Sequence, residues 1–339
     1  MQLATIKDVA EKSGYSKSTV SKALNGYKEI GEGARKKIIE TAQEIGYLAN
    51  YHARALKMKK TYSIGVVYFD NARNGLKNDF FAWLIQEFRV GVETQGYDLT
   101  FINVSVGSQK KTYLEYAQYR AFDGVCIICA DREDKEIIEL AQTDLFPVVV
   151  IDMDFEKAMS VKSDNYGGIK MLSEYIISQN HKKIAYVTGH DSFVTKPRLK
   201  AFYDVMESNN IDVPKEYVVE SYYRDPDDTE KQVSKLLKLN DIPTCIMVPD
   251  DFALLGAINA IQKAGLRYPE DVSLAGYDGI PISKIMSPKI TTIEQDSHRL
   301  GMTAAANLIK AIEGEEDIEK VTIIEGKLIK GESVYKLPK

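Results

Sequence analysis

Apolar residues near the start of the chain recur at helical spacing in two short runs, I-K-D-V-A-E-K-S and K-S-T-V-S-K-A-L. Thr5 and Ser16 stand where side-chain oxygens cap helix starts, and Asp8 is placed as the acidic partner of a capping box. Gly14 supplies the permissive backbone that a tight turn requires. The pattern predicts a helix-turn-helix, in which the start of the second helix enters the major groove of DNA. The alternative is a solvated amphipathic hairpin inside an ordinary domain.

The next segment predicts a third helix and then a short piece that cannot fold alone. The third helix covers 34–44 and ends before Gly46. Residues 50–57, N-Y-H-A-R-A-L-K, have helical propensity but little apolar surface, and an isolated helix of about 8 residues is unstable in water. We expect this segment to become helical only when another molecule holds it.

From residue 62 onward, apolar strand-like runs alternate with amphipathic helices in two similar series. Such βαβ alternation predicts parallel sheets covered by helices, here as two doubly wound lobes with a cleft between them. Asp152, Asp250 and Asp278 each follow an apolar run that ends a predicted strand. Ligands of open parallel sheets bind outside the carboxyl ends of the strands, so these aspartates mark the expected ligand site.

Charge divides the chain into a basic start and an acidic remainder. Residues 1–60 hold 12 Lys and Arg against 6 Asp and Glu, a net of +6, whereas the whole chain carries −5 and the remainder therefore −11. A basic segment that coincides with a helix-turn-helix pattern fits a polyanion-binding module attached to a body that binds something else.

Several function classes are excluded by missing motifs. The sequence has no G-x-G-x-x-G after a strand, no phosphate-binding G-x-x-x-x-G-K-[ST], no HExxH and no G-x-S-x-G. The three cysteines and four scattered histidines suit packing better than catalysis or metal binding. We therefore expect that the protein is not an enzyme, has no catalytic residue and binds neither a cofactor nor a metal. With no signal peptide and no apolar run of about 20 residues, a cytoplasmic protein without membrane contact is expected.

A set of ordered motifs resembles the lactose/galactose repressor (LacI/GalR) family along essentially the whole chain. The set comprises T-I-K-D-V-A, S-K-S-T-V-S-K-A-L-N, A-N-Y-H-A-R-A-L-K, K-P-R-L-K-A-F, P-D-D-F-A-L-L-G-A and P-E-D-V-S-L-A-G-Y-D-G followed by P-K-I-T-T-I. The resemblance implies a homodimeric regulator whose body resembles a periplasmic sugar-binding protein with three chain crossings. The implied parts are a head at 1–49, a hinge helix and linker at 50–61, a first lobe at 62–159 and 289–317, and a second lobe at 160–288 and 318–339.

The family's functional positions carry over residue by residue. Lys17, Ser18 and Lys22 fall on base-reading positions, and Leu56 falls on the leucine that wedges into the minor groove, with Lys57 beside it. Positions that contact the DNA backbone or support the head are Thr5, Ser16, Thr19, Ser21, Asn25, Tyr47 and Asn50. Effector-pocket positions are Phe80, Phe81, Asp152, Arg198, Tyr223, Asp250 and Asp278, whose aromatic faces, carboxylates and arginine suit a sugar.

Three departures from the family pattern bear on the cap and the effector. Gly31 gives the third helix a weak cap, Pro249 replaces an asparagine that often precedes the pocket aspartate, and the segment 71–78 is long and polar. The sequence ends at Lys339 without a leucine heptad, so a dimer is expected rather than a tetramer.

The expected function is repression of carbohydrate-utilisation genes at a pseudo-palindromic operator, with a small sugar or glycoside in the cleft altering operator affinity. The alternative is a catabolite-control regulator whose co-repressor is a phosphorylated carrier protein bound on the first lobe. The head argues against a sugar-transport protein, and nothing supplies the general acid that a cleft enzyme built on Asp152 and Asp250 would need. The sequence leaves open the effector's identity, its action as inducer or co-repressor, the operator sequence and the regulated genes.

Overall fold

The computed structural model of the protein describes residues 4–47, 60–69, 75–106 and 109–338. The chain forms two compact units, a head at Met1–Tyr62 and a body at Ser63–Lys339. The boundary lies within one residue of the predicted start of the body.

The head contains the three predicted helices, α1 (Ile6–Ser13), α2 (Lys17–Leu24) and α3 (Glu32–Glu44). The side chain of Thr5 and that of Asp8 form the expected capping box, and Gly14 ends α1 in the left-handed region with φ 79°. Helix α3 begins two residues earlier than predicted, and Gly31 precedes it without a side-chain cap. The apolar stripes meet in one small core, formed by Val9, Ala10, Val20, Ala23, Ile38 and Ala42.

The body is built from alternating strands and helices. Its first part comprises β1 (Ser63–Tyr68), α4 (Asp79–Glu93), β2 (Asp98–Phe101), β3 (Ser105–Val106), β4 (Gln109–Lys110), α5 (Tyr113–Arg120), β5 (Gly124–Cys129), α6 (Lys135–Ala141), β6 (Val148–Ile151) and β7 (Met159–Ser163). Its second part comprises α7 (Asn165–Ser178), β8 (Ile184–Thr188), α8 (Thr195–Ser208), β9 (Val218–Glu220), α9 (Pro226–Leu236), β10 (Cys245–Met247), α10 (Leu254–Lys263), β11 (Ser273–Ala275), α11 (Pro281–Ile285), β12 (Thr292–Glu294), α12 (Ser297–Ile312), β13 (Val321–Ile324) and β14 (Lys327–Ile329). Short 3-10 helices lie at Gly75–Lys77 and Lys215–Tyr217.

Two parallel sheets define the two lobes. The first-lobe sheet has the order β13-β7-β6-β5-β1-β2 and the second-lobe sheet the order β11-β10-β8-β9. All pairings within both sheets are parallel. Strands β12 and β14 pair antiparallel beside the second sheet, and β3 with β4 forms a small hairpin. This is the α/β architecture that the alternating pattern predicts.

Sheet membership moves the expected lobe boundaries by several residues. Strand β7 pairs with β6 and β13 in the first-lobe sheet, so all of Met159–Ser163 belongs to the first lobe. The predicted boundary after residue 159 had assigned residues 160–163 to the second lobe. Strand β13 also lies in that sheet, although residues after 317 were assigned to the second lobe. Conversely, Thr292–Glu294 pairs with β14 beside the second sheet. The strand hydrogen bonds, which the resemblance alone does not specify, decide these boundaries.

None of the helices that the structure describes is long and apolar enough to cross a membrane.

Candidate functional site

The polar face of α2 is presented to solvent on the head. Lys17, Ser18 and Lys22 are exposed, while Val20 and Ala23 are buried in the head core. Since the predicted base-reading positions and the core positions lie on opposite faces of one helix, α2 can place its polar face against DNA without disturbing the core.

Several of the positions expected to contact the DNA backbone or support the head make local hydrogen bonds. The Ser16 hydroxyl accepts the Thr19 N–H at 3.1 Å and lies 2.8 Å from the Ser18 hydroxyl. Asn25 donates its side-chain amide to the Ser21 carbonyl at 2.6 Å. These bonds fix both ends of α2, and therefore the direction of its exposed face.

Lys22 is paired with Glu29 through a 2.7 Å contact between Nζ and Oε2. This hydrogen bond raises the pKa of Lys22 and lowers the pKa of Glu29. A base or phosphate contact by Lys22 must therefore compete with an acceptor of the head itself.

We expect Glu29→Gln to raise affinity for operator and random DNA about two- to tenfold near 0.1 M salt, because it releases a cation for DNA. Binding titrations measure the effect, and Glu40→Gln, which removes the same charge beside Lys36 on α3, should give a smaller gain. When Lys22 is also replaced by glutamine, the gain from Glu29→Gln should fall to that of Glu40→Gln. An undiminished gain in that background would mean that Glu29 acts only through net charge.

The predicted hinge contacts cannot be placed. Asn50, Leu56 and Lys57 lie outside the described residues, whereas Tyr47 is the last described residue before them.

In the body, the carboxyl ends of the strands surround one cavity of about 560 Å³ between the lobes. All the predicted effector positions line it, namely Phe80, Phe81, Asp152, Arg198, Tyr223, Asp250 and Asp278. The volume falls within the ~300–1,000 Å³ of small-molecule sites. The expectation that ligands bind at the carboxyl ends of strands (the strand-end rule) marked only the three aspartates, and the family resemblance supplied the other four positions. The fold brings together residues that are up to 198 positions apart, from Phe80 to Asp278.

Aromatic rings form walls on both lobes. Phe80 and Phe81 begin α4 in the first lobe, with ring centroids 5.3 Å apart. Tyr223 lies on the second-lobe side, where its hydroxyl shares a 2.9 Å hydrogen bond with the Thr195 hydroxyl. Gly189 makes room for this ring, since a Cβ there would lie 2.1 Å from it. A flat or ring-shaped ligand can therefore pack against aromatic faces from two directions.

Arg198 is the central cation of the cavity and is only 4% exposed. Its Nε donates to Oδ1 of Asn165 at 2.6 Å, its Nη1 donates to the Pro249 carbonyl at 3.3 Å, and its guanidinium lies 3.6 Å from the centre of the Tyr277 ring. Pro249 thus contributes a carbonyl where the family often has an asparagine. No acceptor among the described residues bonds to Nη2, which leaves this group for a ligand.

The three aspartates differ in how many of their oxygens the protein already uses. Asp152 accepts the N–H and the hydroxyl of Ser163 at 2.7 and 3.3 Å. Asp250 accepts three backbone N–H groups. Asp278 accepts only the Gln295 amide, at 2.7 Å on Oδ1, so within the described chain its Oδ2 has no donor. Of the three, Asp278 is therefore the one with an oxygen that no described donor occupies.

Burial raises the pKa of all three carboxyls, because desolvation disfavours their charged forms. For Asp278 the pKa rises to about 7, even though Arg198 acts in the opposite direction. Its protonation therefore changes near neutral pH.

Some cavity residues were missed by sequence reasoning. His190 was expected at the surface or in packing, yet it lines the cavity with Nδ1 buried and unpartnered among the described residues. Gln295 and Arg224 also line the cavity with buried polar atoms that lack partners there. His190 follows β8, Arg224 follows β9 and Gln295 follows β12, so the strand-end rule applied to every strand would have found them.

No group of three or more His, Cys, Asp or Glu side chains within the described ranges could hold a metal ion.

Comparison with known proteins identifies relatives of both units. The model of bacterial regulatory proteins, lacI family, matches residues 5–50, and the periplasmic binding protein-like domain matches residues 173–334. The HTH-type transcriptional repressor PurR of Aliivibrio salmonicida is 30% identical, over 99% of this chain and 100% of its own length. That of Pasteurella multocida is 32% identical, over 95% and 96%.

Solved structures share the fold. A lac repressor dimer bound to operator and an anti-inducer superposes with a TM-score of 0.85 at 24% identity, covering 98% of this chain and all of that one. A putative LacI regulator from Bacillus cereus gives 0.70 at 29% identity, covering 80% and 97%.

Proposed function

This chain belongs to the lacI family of bacterial regulatory proteins and is a DNA-binding transcriptional repressor, and we propose that a small sugar or glycoside in the cavity between its lobes controls its affinity for operator DNA. As in the sequence-based expectation, the genes controlled would be those of carbohydrate utilisation.

One observation carries the proposal: Arg198 and Asp278 offer a donor and an acceptor that no described residue uses, in a cavity with aromatic walls. A sugar hydroxyl both donates and accepts, so adjacent hydroxyls can satisfy both groups. The C–H faces of the sugar ring would then pack against Phe80, Phe81 and Tyr223.

The charges lining the cavity favour a neutral effector over a phosphorylated one. Two arginines line it, together with four aspartates, namely Asp152, Asp225, Asp250 and Asp278. An added phosphate would face this acidic excess in a buried setting, where repulsion is strong.

We further propose that two copies of the chain bind the two halves of a pseudo-palindromic operator. The segment 50–57 would fold into a helix on DNA, with Leu56 in the minor groove, Lys57 next to it, and Asn50 at the DNA backbone. Closure of the lobes around the effector would then favour or oppose the paired hinges.

The test is operator binding, on a DNA site selected from random sequence, with a panel of compounds. Ribose, glucose and cellobiose form the sugar arm, glucose 6-phosphate the anionic arm and adenine the flat-heterocycle arm. A change of at least fivefold in operator affinity with a neutral sugar is expected.

A response to adenine alone would replace the sugar with a flat heterocycle, which could stack on the same rings. If no compound acts but a phosphorylated carrier protein does, the catabolite-control alternative takes the place of the sugar proposal.

A further inference from the structure

Backbone strain concentrates around the cavity. Seven described residues other than glycine have a positive φ, and three of them, Asp152, Arg224 and Asp278, line the cavity. A left-handed backbone is unfavourable for residues with a Cβ, and it persists where surrounding contacts fix it. Arg224, with φ 56°, is the cation among these three.

Asp250 holds this backbone in place. Its Oδ2 accepts the Arg224 N–H at 2.7 Å, while its Oδ1 accepts the N–H groups of Phe252 and Ala253 at 3.0 and 2.8 Å. The carboxylate is 2% exposed. Since both oxygens are bonded to backbone groups, Asp250 is suited to position Arg224 rather than to bind a ligand itself.

The Arg224 side chain crosses from the second lobe to the first. Its guanidinium packs over the Phe252 ring at 4.6 Å, and Nη2 donates to the Lys77 carbonyl at 3.0 Å. Lys77 directly precedes Asn78, which caps α4, and Phe81 follows within the first turn. The hydrogen bond therefore ties the second lobe to the segment that carries the first-lobe aromatic wall.

Two donors of the same guanidinium remain available. Nε and Nη1 of Arg224 are buried without a partner among the described residues, although the side chain lines the cavity. A buried donor without a partner costs free energy, which an acceptor atom of a ligand or a water molecule recovers.

We propose that Arg224 is a latch that holds the cleft closed and helps to select an effector with an acceptor atom facing it, and that Asp250 is the positioning residue that sets this latch. The inference rests on the proposed function, in that the ligand closed in is the effector. Under this proposal Asp250, which the sequence predicted as an effector contact, affects the effector only indirectly, through Arg224.

The latch can be tested without any ligand by measuring how fast a cysteine in the cavity reacts with an alkylating reagent. Cys129 lines the cavity, whereas Cys126 and Cys245 are buried in the two lobes. Alkylation of Cys129 by N-ethylmaleimide in the free, full-length protein, followed by peptide mass spectrometry, reports how often the cleft opens.

Arg224→Asn keeps a residue that tolerates the left-handed backbone but cannot reach Lys77. We expect it to speed alkylation about tenfold, as for loss of a hydrogen bond made by a charged group. Asp250→Asn should act similarly, because one amide oxygen cannot serve both sets of N–H groups. Arg132→Gln breaks the exposed Arg132–Asp191 ion pair between the lobes and should change the rate less than fivefold.

The double variant tests whether Asp250 acts through Arg224. If Asp250 acts through Arg224, then Asp250→Asn should add little to the alkylation rate once Arg224 is asparagine. An equal increase in both backgrounds would overturn the positioning role, and an unchanged rate in Arg224→Asn would overturn the latch. Arg224→Gly serves if the asparagine variant does not fold, as judged by circular dichroism.

Effector titrations complete the test with the sugar panel. If the wild type responds to a neutral sugar, Arg224→Asn should need about tenfold more of it, while Arg132→Gln should not. An identical response in Arg224→Asn would overturn ligand selection by Arg224. A wild type that responds to no compound counts against the proposed function, while the alkylation result still decides the latch.

Discussion

Replacing Arg198 with methionine is expected to abolish the response to effector at the wild-type effector concentration and to destabilise the body by about 3–5 kcal/mol, because it removes a buried cation on which several groups depend. Methionine has a similar volume, so little cavity is added, unlike the change to alanine. The Asn165 amide oxygen and the Pro249 carbonyl both lose a donor. The proposed ligand contact through Nη2 is lost as well.

The destabilisation should grow with rising pH. Arg198 lowers the pKa of both Asp152 and Asp278, so its removal leaves two buried carboxyls that resist ionisation more strongly. Urea unfolding at pH 5.5 and 8 measures this difference. Arg267→Met, which removes an exposed arginine paired with Asp271, should change the free energy of unfolding by less than about 1 kcal/mol.

Operator binding separates the two effects of the Arg198 variant. The head is a compact unit of its own, so the folded variant should still bind operator at low temperature. It should need at least about 100-fold more effector for the same response, as for loss of a buried charged contact. A folded variant that responds at the wild-type effector concentration would show that the effector does not contact Arg198.

Much of the fold could be predicted from the sequence because each local pattern agreed with the tertiary structure. In the head, caps and apolar stripes specify α1 and α2 within a few residues, and both form as predicted. Helix α12 was missed although it carries a clear signal, since Leu300, Ala304 and Leu308 are buried at four-residue spacing. Strand β13 was missed as well, although all four of its residues are β-branched and favour a strand. It is an edge strand on which Val321 and Ile323 remain exposed.

The candidate site was predictable in composition but not in the roles of its residues. Strand ends located Asp152, Asp250 and Asp278, since parallel strands bring their carboxyl ends to one edge. Which oxygens stay available depends on the backbone N–H groups of neighbouring segments, such as those of Ser163 at the end of β7 and of Arg224 after β9. Side-chain type and spacing along the chain do not encode those contacts.

Asp278→Asn is expected to stabilise the protein at pH 8 and to reduce the pH dependence of its stability. Asp278 has a pKa of about 7 in the folded protein against 3.8 as its ordinary value, so the folded state holds the proton more tightly than the unfolded state. The cost of burying the ionised carboxyl is absent below pH 3.8, grows between pH 3.8 and 7, and is complete above pH 7. A shift of this size corresponds to about 4 kcal/mol at most, which the amide avoids.

Urea unfolding of both proteins at pH 5, 6, 7 and 8 tests this expectation. The charged or polar groups that face Asp278 are Arg198, Asp250, Gln295 and Arg224, and they are common to both proteins, as is buried Asp251, whose pKa is also raised. The difference between the two stability curves therefore isolates Asp278 and should widen by about 2–4 kcal/mol from pH 5 to 8. Curves that stay parallel from pH 5 to 8 would mean that Asp278 is already ionised at pH 5 and that burying its charge costs little.

Effector binding by the same variant tests the role of Asp278 in the cavity. The amide presents a donor where Oδ2 accepted, so a variant that is more stable but binds the effector about tenfold more weakly would place Asp278 in the effector site. The native protein would then carry a cost in stability for the sake of binding.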